Sequence, residues 1–296
     1  MLVKKNHARK KSSAKIIIIA AIFIVVLSSV FTASYLYLDN QQRINHEKQQ
    51  IENARLAKVA ELAAKEAKKK EPVYITLPGA KPIRAIVEDY SLTSSIWTIV
   101  NKTHPISIDY VPSPIKIPNV ATRTDKNDNE RSIRADITTP TEEMFAAALT
   151  EGYSLMIGSG YRPASLQKIY FDNLASSVGE TVANQSIARP GQSEHQTGLA
   201  MDISTVSRQC YLDDCFANTS DGVWLTNNSY KFGFILRYPK TKEEITGYRY
   251  EPWHFRYVGI DLATALHESG LTLDEAWLYL EAARATLIQN GAIISQ

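Results

Sequence analysis

Ser193-Glu194-His195-Gln196-Thr197-Gly198-Leu199-Ala200-Met201-Asp202-Ile203 carries a histidine and an aspartate on either side of a glycine turn signal. From Leu199 the residues alternate: Leu199, Met201 and Ile203 point toward a core, and Ala200 and Asp202 toward the other face of a strand. An ionisable group on that second face must be wet or bound to something. Downstream, Glu251-Pro252-Trp253-His254-Phe255-Arg256 adds a second histidine three residues after a glutamate. A three-residue interval puts Glu251 and His254 on opposite faces of a regular strand, but Pro252 breaks that regularity, so both can turn to one cavity. Two imidazoles and one carboxylate satisfy a catalytic Zn²⁺ site with an open position, and the spare carboxylate can move a water proton.

The remaining histidines do not compete. His7 lies in a basic arm and His46 in a polar helical stretch, while His104 precedes a proline and His267 falls in a helical run; the last two read as surface or packing residues. Glu194 reads either as a partner behind the ligand His195 or, preferably, as a solvated neighbour, and Arg256 as either an ion pair or a substrate contact.

Around these segments the pattern is of mixed elements. Thr139-Pro140-Thr141-Glu142 predicts a capping box and a helix to about Thr150 that buries Met144, Phe145, Ala148 and Leu149. Ser154–Gly158 reads as a strand feeding the loop Ser159-Gly-Tyr-Arg162-Pro163, and Pro163 starts a helix to about Ser177. A helix is expected over Asp221–Tyr230, strands over Phe234–Tyr238 and Phe255–Val258, and a closing helix over Thr272–Gln289. Non-alternating order gives an α+β fold: a small antiparallel sheet flanked by helices, with the zinc site on a sheet face.

The first quarter of the chain is of another kind. Residues 1–15 are a basic arm with no acid, and Ile16–Leu38 is an uncharged run of about 23 residues, roughly 35 Å as a helix. This predicts a single membrane-spanning signal anchor with the N-terminus cytoplasmic and everything after it outside the cell. A cleavable signal peptide with a poor site at Val30–Ala33 is the competing reading, and it exports the rest equally. Residues 39–71 read as a solvated helical stalk, either a spacer or a coiled-coil pairing segment that makes a dimer; 72–296 form the folded domain.

Fourteen of the 33 Lys and Arg and six of the 31 Asp and Glu lie in residues 1–71, leaving 19 against 25 in the domain, a net of −6. No basic face for nucleic acid is expected there. Cys210 and Cys215, the two cysteines of the chain, are close enough for a small disulfide in an exported domain, the alternative being free thiols.

Three ordered blocks now stand out: Ser159-Gly-Tyr-Arg162-Pro with Gln167, then Ser193-x-His195-x-x-Gly198-x-Ala200-x-Asp202, then Glu251-x-Trp253-His254. Over roughly residues 95–265 the chain resembles the VanY-type D-alanyl-D-alanine carboxypeptidases, of the wider group that includes lysostaphin-like peptidases and the hedgehog signalling domain. The resemblance implies that His195, Asp202 and His254 hold Zn²⁺, that Glu251 is the general base and that Arg162 stabilises the oxyanion or holds the scissile carbonyl. It further implies that Ser193 and Gln167 help bind the end of the peptide. Trp253 either buttresses the His254 strand or stacks on substrate. The expected substrates are peptidoglycan stem peptides or their precursors, with loss of a C-terminal D-alanine. The D,D reaction on a pentapeptide is favoured, with an L,D reaction on a tetrapeptide, a cross-link endopeptidase or a noncatalytic wall-binding module as alternatives.

Overall fold

The computed structural model describes residues 4–69 and 72–292. Glu71, where the sequence predicts the stalk to end, lies outside the described residues. The chain falls into two compact units, Met1–Lys68 and Lys69–Gln296.

The described residues of the first unit form a single helix, α1 (Lys4–Lys69), in which the apolar run and the polar residues after it are continuous. Nothing interrupts it because Ile16–Lys69 contains neither glycine nor proline. Every side chain from Ile16 to Leu38 is exposed. Among the described residues, α1 alone is long and apolar enough to cross a membrane.

The second unit opens with short pieces, because prolines remove ladder donors throughout this region. Strands β1 (Tyr74–Ile75) and β2 (Ile83–Arg84) form one two-residue hairpin. Strand β3 (Ile115–Lys116) pairs antiparallel with β4 (Ile133–Arg134), and between them the charged loop holds one helical turn, α2 (Asp128–Arg131). Asn127 caps that turn by accepting from Glu130 N.

Helix α3 (Thr138–Thr150) follows a 3₁₀ turn, Ala135–Ile137, and its first residue is Thr138. The expected capping box is therefore not made: Ile137 occupies the cap position with no side-chain bond, and Glu142 accepts instead from Asn119 N at 2.8 Å. Met144, Phe145 and Ala148 are buried as expected, but Leu149 is 65% exposed. It sits about 100° around the helix from Ala148, beyond the edge of the apolar stripe.

The main sheet is built from β5 (Leu155–Ser159), β6 (Ala200–Thr205), β7 (Phe234–Leu236) and β8 (His254–Tyr257), antiparallel in the order β5-β6-β8-β7. Helices α4 (Ala164–Val178) and α5 (Glu180–Ser186) lie between β5 and β6 in the chain. Then come α6 (Ser220–Asn228), α7 (Glu243–Thr246), α8 (Ile260–Ser269) and α9 (Leu273–Gln289). The architecture is α+β, with small sheets and helices.

Register decides what each face carries. Met201 lies opposite Phe255, and Ile157 opposite Ile203; together with Leu199 they pack with Met144 and Phe145 of α3 and with Trp224 and Leu225 of α6. Each such side chain contributes about 1.5–3 kcal/mol on full burial, which fixes the register, since a one-residue slip would exchange the faces. On the other face Asp202 lies directly opposite His254 and Ala200 opposite Arg256. An irregularity between Ile157 and Ser159 sets Ser159 opposite Asp202 on that same face. A second apolar cluster joins β1, α8 and α9 through Ile75, Leu262, Leu266, Leu273 and Leu280.

Candidate active site

His195 sits on a 3₁₀ turn, Glu194–Thr197, closed by Gly198 at φ 69°. A left-handed residue is needed to turn the chain into β6, and glycine takes that conformation without steric cost. The turn brings His195 Nε2 to 3.3 Å from Asp202 Oδ1, and cross-strand pairing brings His254 Nδ1 to 3.2 Å from the same oxygen. All three side chains are buried.

His195 Nδ1 lies 2.7 Å from Gly160 O. A carbonyl only accepts, so Nδ1 carries the proton and Nε2 presents its lone pair to Asp202. Asp202 Oδ1 is buried and has no hydrogen-bond donor. One ligand atom from each of the three residues lies within 4.8 Å of the others. Zinc bonds of 2.0–2.1 Å give a tetrahedral edge of about 3.3–3.4 Å, which the two shortest separations approach. Donor type and spacing are those of a group that could hold a metal ion.

Glu251 Oε2 lies 3.7 Å from His254 Nδ1, so both residues do turn into one cavity. Burial raises the Glu251 carboxyl to about 7, against the pull of His254. Asp202 behaves oppositely. Burial alone would raise it, but the two imidazoles beside it hold it well below the usual carboxylate range. Burial would lower His254, yet Asp202 and Glu194 lift it to about 9.

Arg162 leads from β5 into α4. Its Nη2 donates to Ser159 Oγ at 2.9 Å and its Nη1 to Gln167 Oε1 at 3.0 Å, while Nη2 stands 3.6 Å from Asp202 Oδ2. Gln167 also donates to Ala188 O, at 2.7 Å. That amide thus bridges Arg162 and the chain at Ala188, and Gln167 also lines the cleft. Ser193 and Trp253 line the same cleft, of about 580 Å³, and Trp253 is also part of the apolar cluster under the sheet. Cys210 and Cys215 form a disulfide. His104 and His267 lie apart from this group, His267 stacked on Tyr230 at 3.8 Å.

The family model described as VanY, D-alanyl-D-alanine carboxypeptidase, matches residues 130–260. The YodJ protein of Bacillus subtilis (strain 168) is 47% identical over 181 residues, 61% of this chain and 66% of that protein. The solved LdcB LD-carboxypeptidase is 46% identical with a TM-score of 0.60, covering 64% of this chain and 87% of that one. A solved vancomycin-resistance D,D-pentapeptidase VanY in complex with Zn(II) is 33% identical with a TM-score of 0.51, covering 65% of this chain and 99% of that one. The chain belongs to the VanY family of D-alanyl-D-alanine carboxypeptidases. It spans just under two thirds of the length of YodJ.

One feature of this VanY-family site decides between the two sequence readings of Glu194, against the preferred one. Glu194 is not solvated: it is 1% exposed, and its Oε1 accepts from Arg237 Nε at 2.7 Å and Arg256 Nη1 at 2.8 Å. Its Oε2 faces His254 Nε2 at 3.6 Å. Burial would raise this carboxyl, but the two guanidiniums outweigh it and hold Glu194 ionised. Arg256 is accordingly an ion-pair residue, also donating to Ile96 O and Thr98 O, and Arg237 continues the network to Asp274 at the start of α9. Arg237 and Asp274 were not singled out from sequence. The available signal was two arginines inside otherwise apolar strands, which demands a buried acid nearby.

Proposed function

We propose that the folded unit is a zinc-dependent carboxypeptidase that removes the C-terminal D-alanine from peptidoglycan stem peptides. The observation that carries this is the convergence of His195, Asp202 and His254 in one cleft, with Glu251 within 3.7 Å of His254 and Arg162 within 3.6 Å of Asp202. His195 Nε2, Asp202 Oδ1 and His254 Nδ1 would hold the ion. When bound, zinc polarises the scissile carbonyl and lowers the pKa of water to about 7.

Glu251 takes the proton of the attacking water and returns it to the leaving amine. A carboxyl raised by burial toward neutrality suits both halves of that transfer, being a stronger base than an exposed glutamate and a usable acid afterwards. Arg162 directs a fixed charge toward the oxygen on which negative charge develops, and Gln167 and Ser159 hold its fork in place. Ser193 contributes to binding the peptide end, and Trp253 buttresses His254 from the apolar side. Glu194 keeps the His254 ring aimed by facing its outer nitrogen.

The sequence alone favours the D,D reaction. Greater identity to LdcB than to the pentapeptidase supports the L,D reaction on a tetrapeptide as the first to be assayed. The exposed apolar run of α1 supports a membrane anchor that leaves the enzyme outside the cell, acting on the wall.

Incubation with synthetic tetra-, penta- and cross-linked peptides, followed by mass spectrometry, tests the assignment. D-alanine should be released from a linear peptide, stop on chelation and resume with zinc. Glu251→Gln should retain zinc but lose about 10²- to 10⁴-fold in kcat. No release by wild type would leave only a binding module, and equal release by wild type and Glu251→Gln would remove Glu251 from the mechanism.

A further inference from the structure

Strand β6, which carries Asp202, runs directly into the disulfide loop. The loop is fastened at both ends. On the near side Thr205 Oγ1 accepts from Gln209 N at 3.1 Å; on the far side Phe216 is buried among Trp224, Leu225 and the underside of the sheet. Between these anchors Arg208, Cys210 and Leu212 all have positive φ, at 59°, 56° and 51°. Three non-glycine residues in that region within five positions persist only where the surroundings enforce them, and such strain gathers at ligand-binding segments. Here the Cys210–Cys215 bond closes the loop.

What the loop presents is Tyr211 and Leu212, both of which line the catalytic cleft. Tyr211 folds back over β5, its hydroxyl 3.4 Å from Gly158 O. A side chain at Gly158 would come within 2.8 Å of Tyr211 Cε2, so the absence of one there is what admits the ring. Arg123, which lines the cleft as well, stacks on the ring at 4.8 Å and pairs with Asp125, which also accepts from Arg208 at the root of the loop. Leu212 is 38% exposed, a large apolar side chain at a cleft wall. Neither residue hydrogen-bonds to His195, Asp202, His254, Glu251 or Arg162.

We propose that the Cys210–Cys215 loop is the specificity wall of the cleft, where Tyr211 and Leu212 hold stem-peptide residues away from the cut bond. This rests on the carboxypeptidase reading above. The loop contributes contact surface and no proton transfer, so disturbing it should alter KM and peptide preference while leaving kcat and bound metal unchanged.

The experiment compares wild type, Tyr211→Ala, which keeps the disulfide, and Cys210→Ser/Cys215→Ser. Each is assayed on tetra- and pentapeptide for kcat and KM, with zinc content and melting measured alongside. KM should rise about three- to tenfold in both variants, the scale of one lost aromatic contact. The ratio of kcat/KM between the two peptides should shift, and wild type treated with a thiol reductant should behave like the double variant. Unchanged KM in both variants overturns the proposal, as does a fall in kcat that tracks loss of zinc. If wild type cleaves neither peptide, the carboxypeptidase reading fails while the wall is still decided: equal calorimetric affinity of wild type and Tyr211→Ala for the same peptides rejects it.

Discussion

Glu194 lies between two arginines on one side and the outer nitrogen of His254 on the other. Replacing it by glutamine leaves Arg237 and Arg256 buried without their shared anion, a loss of about 3–5 kcal/mol by analogy with other broken buried pairs. It also removes the negative charge that faces the outer nitrogen of the His254 ring, so on the proposed positioning role zinc affinity should fall about 10- to 100-fold. Denaturant melts and chelator competition on Glu194→Gln measure the two separately, and unchanged zinc affinity would rule out the positioning role. Glu251 gives a prediction of opposite sign. Its folded pKa, about 7, lies above the ordinary glutamate value, so the metal-free fold binds this proton more tightly than the unfolded chain does. That stabilisation is complete below about pH 4 and disappears as pH rises through about 7. Glu251→Gln, neutral throughout, should make the metal-stripped protein more stable than wild type at pH 8 by on the order of 1–3 kcal/mol, with little difference near pH 4. Thermal melts at the two pH values decide it, and a wild type that melts higher at pH 8 contradicts it.

At the scale of elements, the turn between β5 and α4 depends on Gly160. A Cβ there would meet Ser132 O at 2.2 Å, a backbone atom with no freedom to yield. Gly160→Ala should therefore cost about 1–3 kcal/mol as an overpacked site, and should weaken zinc binding because Gly160 O orients His195. Loss of stability with full zinc affinity would show that His195 does not need that carbonyl. The elements themselves were legible where short-range chemistry decides them. Thr272 and Glu275 make both arms of a capping box at the start of α9, and the alternation of Leu199–Ile203 marked which side of β6 is core. Elements fixed by distant partners were not. The capping box expected at Thr139 lost to a 3₁₀ turn that starts earlier, and Glu194 could be placed only once Arg237 and Arg256, more than forty residues on, were brought beneath it by strand pairing. The three motif blocks marked the residues that meet in the cleft because each lies within a few positions of a turn or strand end. Arg237 and Asp274 carry no local motif.

For the whole molecule, the division at Lys68–Lys69 separates a helix with no buried apolar side chain from Ile16 to Leu38 from a unit with its own cores. A protein beginning at residue 70 should fold, bind zinc and hydrolyse peptide with unaltered kcat/KM, whereas the full chain should sediment with membranes. Fractionation and kinetics on both forms test this, and an inactive shorter form would make α1 part of the catalytic unit. Within the second unit, Arg162 N donates to His195 O while His195 Nδ1 donates to Gly160 O, two bonds running in opposite senses between the same two turns. The segment that carries Arg162 and the segment that carries His195 are stitched edge to edge. Neither can peel away alone, so gentle heating should extinguish ion retention and turnover together, along a single curve.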